Sequence, residues 1–222
     1  MPETVESRER LLDLARDGAL RGNTYRGLRG SQLALERPDF DGASFEQVDL
    51  DGADLRAATL TSASFVRANL QAARLDGALV HRTRFSDSRL IETDFSGAHV
   101  EDTLWARVEM TNAGFLGAKL VSTEFSSVEL RRARFDGALL IKCRFSFAPN
   151  GVESMSRASF VGATFVECDL QGANLIGADL RGALFLKCNL EGAQLARAVV
   201  EGTRFIATST VGADLPAALA AR

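Results

Sequence analysis

A period of five runs through this sequence. From Leu35 to Leu215, every residue whose number is a multiple of five is apolar except Asn150 and Thr210, and most are Leu or Phe. Two places before each, from Ala43 to Ala213, stands Ala, Thr, Ser, Cys or Val, with Glu153 the large charged exception. A helix repeats its apolar face about every 3.6 residues and a half-buried strand every second residue, so neither accounts for this pattern. A chain that turns one large side chain inward per short segment and then rounds a corner does, and such a chain is a solenoid.

A second period gives the number of sides. Tyr25, Phe45, Phe65, Phe85, Trp105, Phe125, Phe145, Phe165, Phe185 and Phe205 lie twenty apart, in a chain with only 14 Phe, one Tyr and one Trp. Twenty residues at five per side predict a four-sided coil with these rings stacked in one core aromatic column. Phe95, Phe115 and Phe135 predict a shorter column on another side. The three remaining positions of each five face solvent, and Gly before the small residue, as at Gly42 and Gly77, suits a corner with positive φ.

The pattern divides the chain as follows. Residues 1–19 predict a capping helix, with Val5, Leu11, Leu12, Leu14 and Ala15 on one face and Gly18 as its stop. Such a helix would cover the open backbone edge of the first coil. Residues 20–37 keep the beat imperfectly, since Gly30 breaks it, and predict a degenerate first coil. The β-helix proper spans 38–215. Within it, residues 146–157 lose the pattern around Pro149-Asn150-Gly151. Because Phe165 follows Phe145 by twenty, this irregular loop is expected to replace two sides of a coil, or to bulge while keeping phase. Residues 213–222 predict a short C-terminal helix capped by Asp214.

Little in the sequence suggests catalysis. Cys143, Cys168 and Cys188 all fall at the small inward position, which makes them core residues and not a disulfide or zinc set. His81, His99, Glu101 and Asp102 gather near one another, but all at outward positions. No Ser/His/Asp arrangement, P-loop or glycine fingerprint is present, so no enzyme, no cofactor and no metal site is expected. A leader with a basic stretch before an apolar run is also missing, and a cytoplasmic location is the expectation.

Two surface features exceed background. Asp39, Asp41, Glu46, Asp49, Asp51 and Asp54 predict an acidic face on the first coils. Val161, Val166, Leu184, Leu186, Val199 and Ile206 are apolar at outward positions, and an exposed apolar patch marks an interface. Val166, Leu184, Leu186, Ile206, Leu215 and Leu219 are therefore the expected homodimer interface.

Ala53-Asp54-Leu55, Ala68-Asn69-Leu70, Ala173-Asn174-Leu175 and Ala178-Asp179-Leu180 read as A(D/N)LXX units, and by them the chain resembles the pentapeptide-repeat family. The resemblance implies an all-β fold, a right-handed quadrilateral β-helix of about nine coils with short terminal helices. In length, loop and C-terminal helix it is similar to Qnr-type and self-immunity proteins, which implies a DNA-mimicking binder of DNA gyrase or topoisomerase IV that protects the enzyme from its poisons. Under that analogy the partner-binding loop comprises Phe147, Pro149, Asn150, Gly151, Glu153 and Met155. The alternative is an interaction scaffold with another protein partner. Charge limits the mimicry, because nine coils at about 4.8 Å make a rod of about 43 Å, whose length of duplex carries about 25 phosphates. This chain has 29 acidic against 26 basic residues. With no basic stripe, direct nucleic-acid binding is not expected.

Overall fold

In the computed structural model, which describes residues 2–146 and 155–217, the chain winds into a four-sided β-solenoid of about ten turns. Each coil is tied to the next by parallel backbone pairing between residues twenty apart, as in Phe45↔Phe65 and Phe65↔Phe85. Isolated bridges such as Asp49↔Asn69 and Asp54↔Arg74 continue the pairing on the two sides without regular strands.

The side chains follow from that stacking. Position i of each five is buried: Phe65, Leu70, Leu75 and Val80 are 0 % exposed. Rings stack coil on coil, with Phe45–Phe65 centroids 4.4 Å apart and Phe65–Phe85 4.8 Å apart. The position two before also points inward, where the neighbouring backbone leaves room for a small group only. Where that group is Ser, Thr or Cys, it donates to a backbone carbonyl, in most cases of the coil below: Thr93 to Leu70 O at 2.7 Å and Thr103 to Val80 O at 3.1 Å, whereas Cys188 donates to Leu186 O of its own coil. Cys143, Cys168 and Cys188 are such residues, free and buried one above another, and a hydrogen bond with Cys168, helped by burial, pushes the Cys188 thiol up. The corner after each side is left-handed whatever the residue, with φ +53° at Ala72 and +69° at Gly77.

At the N-terminal end the structure departs from the expected helix. Val5 is not on a helix face; Thr4–Val5 is a strand paired with Thr24 and Tyr25, so Val5 extends the aromatic column downward. Helix α1 runs only from Arg8 to Arg16, with the Ser7 side chain accepting from the Arg10 amide, and buries Leu11 and Leu14. Buried Asn23 closes this end by accepting from the Glu3 amide and donating to Ala19 O. Beside it the Tyr25 hydroxyl donates to Leu20 O, and burial raises its pKa to about 12. Residues 20–37 are stacked like later coils, through Arg29↔Asp49 and Ala34↔Asp54. This coil brings the count to about ten turns.

The largest correction concerns the irregular segment. Leu140 pairs with Phe165, Arg134 with Ser159 and Arg144 with Asp169, all twenty-five apart. One coil therefore holds five extra residues, the length of one side. Five added residues leave the beat untouched yet move every later residue on by one side. The column Tyr25 to Phe145 thus continues in Leu170, while Phe165, Phe185 and Phe205 stand over Leu140 on the neighbouring side. Phe160 extends the shorter column instead, stacking on Phe135 at 5.1 Å. At the C-terminal end, Asp214 is not a helix cap but bridges to Gln194 as part of the last turn. The second half of the helix expected over 213–222, residues 218–222, lies outside the described residues. No helix among the described residues is long and apolar enough to cross a membrane.

Trp105 is fully buried between Phe85 and Phe125, and its indole nitrogen has no hydrogen-bond partner. Trp105→Phe removes that orphan donor and should change unfolding free energy in urea by less than about 1 kcal/mol, whereas Trp105→Ala should lose about 3–5 kcal/mol. Deleting 149–153 should restore a twenty-residue coil without disturbing any pairing, leaving the circular dichroism spectrum and melting temperature close to those of the full chain.

Candidate functional site

The expected acidic face is not a face. Asp39 and Asp41 lie on the side of Phe40, Glu46 on that of Phe45, Asp49 and Asp51 on that of Leu50, and Asp54 on that of Leu55, because five residues carry the chain round a corner. They form a ring around one coil, and most have basic partners. Asp41 pairs with Arg21, Glu46 with Arg26 at 2.8 Å and Asp54 with Arg56 at 2.7 Å. Hydrogen bonding from Arg56 holds the Asp54 carboxyl below its ordinary range, and the Ser31 hydroxyl, with smaller help from Asp51 and Asn69, does so for Asp49. The same pairing recurs along the rod at Asp87–Arg107 and Asp179–Arg181.

The apolar residues do converge, and more of them than the sequence suggested. Five parallel strands, Lys119–Val121, Leu139–Ile141, Thr164–Val166, Leu184–Leu186 and Arg204–Ile206, stack on one side in the register Val121, Ile141, Val166, Leu186, Ile206. Leu139 and Leu184 flank that row. The row is half-buried at most members, and Ile206 is 39 % exposed. Val121, Leu139 and Ile141 escaped the sequence reading because it set Phe165 over Phe145. Counting the irregular coil as five residues longer would have aligned Ile141 with Val166. Of the other expected interface residues, Leu215 lies on a different side, packed against the core, and Leu219 falls outside the described residues. Val161 and Val199 belong to the side of Phe160.

Around the row the charges are mostly basic: Lys119, Lys142, Lys187 and Arg204, with Glu167 3.9 Å from Lys187. Immediately below the row Glu101 stands under Val121, and His81, one coil further down, sits 3.7 Å from Asp102. No group of His, Cys, Asp and Glu among the described residues could hold a metal ion. Of the expected loop residues, Phe147, Pro149, Asn150, Gly151 and Glu153 lie outside the described residues. Met155 does not reach solvent: it is 0 % exposed and fills the core position above Leu130.

Family models place this geometry. The pentapeptide repeat region model matches residues 38–115, and the eight-copy pentapeptide repeats model matches 154–185 and 173–209. The chain belongs to the pentapeptide-repeat proteins. No curated protein sequence matches it. Among solved structures it is similar to QnrB1, a plasmid-mediated fluoroquinolone resistance protein, at 18 % identity over 99 % of this chain and 94 % of that one, with a TM-score of 0.57. A weaker likeness is to HetL, involved in heterocyst differentiation regulation in Nostoc sp. strain PCC 7120, at 25 % identity over 83 % of this chain and 86 % of that one, with a TM-score of 0.25.

If the row is a surface and not a core, polar residues there cost little. Leu186→Ser with Ile206→Ser should lower binding of an apolar dye such as ANS and shift the melting temperature by no more than about 2 °C.

Proposed function

We propose that this pentapeptide-repeat protein is a non-catalytic rod that binds a type II topoisomerase of the gyrase class and protects it from poisons. The observation that carries this reading is the likeness of fold to QnrB1 along nearly the whole of both chains. A rod filled by its own side chains leaves binding by its sides as the available activity. Shape, and not charge, would have to support any imitation of DNA, since many acids of the described residues pair with arginines, among them Asp41, Glu46, Asp54, Asp87 and Asp179. That same pairing favours a second reading, an interaction scaffold for a different protein. Fold alone does not assign function.

A gyrase supercoiling assay separates the two. With ciprofloxacin present, the purified protein should restore supercoiling at concentrations near that of the enzyme, and a variant lacking 149–153 shows whether the added residues take part. Absence of both rescue and inhibition at tenfold excess over gyrase would remove the topoisomerase reading and leave the scaffold.

A further inference from the structure

The row Val121, Ile141, Val166, Leu186, Ile206 is a surface without a partner in the fold, and its surroundings say what fits it. The strands from Lys119–Val121 to Leu184–Leu186 pair with coils above and below, and only Arg204–Ile206 keeps an open edge, at the end of the row, so a partner lying along the row meets no free backbone. Only side chains can be engaged, which favours a helix lying along the row over an added strand. Five levels at about 4.8 Å span about 19 Å, the length of a helix of about 13 residues, whose apolar stripe recurs every turn of about 5.4 Å.

Charge decides between occupants. A second copy docked by a two-fold axis along the strands would set Lys119 against Arg204, Lys142 against Lys187 and Glu167 against itself. An axis along the rod would instead press Lys119 onto Val121 and Arg204 onto Ile206. Both arrangements are penalised by like charges or by a buried unpaired cation. An anionic membrane would suit the lysines, but the row is aliphatic, carries no Trp, Tyr or Phe, and is too half-buried to insert.

We propose that this side of the C-terminal half is the docking surface for an amphipathic helix of another protein, with an aliphatic stripe on the row and carboxylates flanking it to meet Lys119, Lys142, Lys187 and Arg204. This goes beyond the topoisomerase reading and does not depend on it, so a negative supercoiling assay leaves it intact.

The probe is a hydrocarbon-stapled, fluorescein-labelled 14-residue peptide with Leu along one stripe and Glu on both flanks; a twin carries Lys in place of Glu. Fluorescence anisotropy against the full chain should show the Glu peptide binding with a Kd below about 100 μM, and the Lys twin at least about tenfold weaker. Ile141→Ser with Leu186→Ser should weaken the Glu peptide about tenfold or more. Lys142→Glu with Arg204→Glu, both at exposed positions whose replacement leaves the core intact, should do the same and flatten the salt dependence. Equal binding of the two peptides, or of neither, would overturn the proposal. So would a light-scattering mass of a dimer that falls to a monomer in Leu186→Ser, or binding to phosphatidylserine vesicles with none to the Glu peptide.

Discussion

Backbone pairing between residues one coil apart is the constraint from which the rest of this molecule follows. Parallel strands a coil apart must sit at hydrogen-bonding distance along the whole rod, so inward side chains stack on inward side chains from one coil to the next. Rings stack on rings for that reason, and most hydroxyls and thiols at the small position find a carbonyl in the coil beneath. A left-handed corner closes each side, and it is so strongly imposed that arginines and alanines adopt it where glycine is absent. The usual cost of that conformation is offset by two ordered coils of hydrogen bonds around it.

The ends and the middle show how the pattern is bounded. At the N-terminus a two-residue strand, a polar Asn23 and the nine-residue helix α1 complete the first coil, which would otherwise present an open edge. A parallel solenoid tolerates a longer coil provided its length returns the chain to the same corner, and the coil from Phe135 to Phe160 does so.

Much of this architecture was legible because inward positions are chemically strict. Leu, Phe and Ala at fixed spacing have no other arrangement in which all are buried, so the sides, the corners and the buried cysteines could be read from residues alone. What could not be read was phase. Phe145 and Phe165 are both aromatic and both multiples of five, so a coil lengthened by one side is silent in the core pattern. The outward residues carried the missing signal, in the run Ile141, Val166, Leu186, but only if read as a vertical row. The ring of Asp39 to Asp54 failed for the complementary reason: neighbours in sequence are on different walls of the rod, whereas neighbours on one wall are a coil apart. Val5 was misplaced because its short strand lacks a second repeat to announce it.

The five extra residues also mean that core and surface are indexed separately in this protein. Up to Phe145 the rings stand behind one wall; beyond it they stand behind the next, as though the upper half of the sequence had been rotated a quarter-turn around an unchanged shaft. A length change of one side thus reassigns which wall displays every later residue without moving a buried atom out of register. Rods of this kind can acquire a new outer face by a single insertion, at a site far from the residues that come to form it.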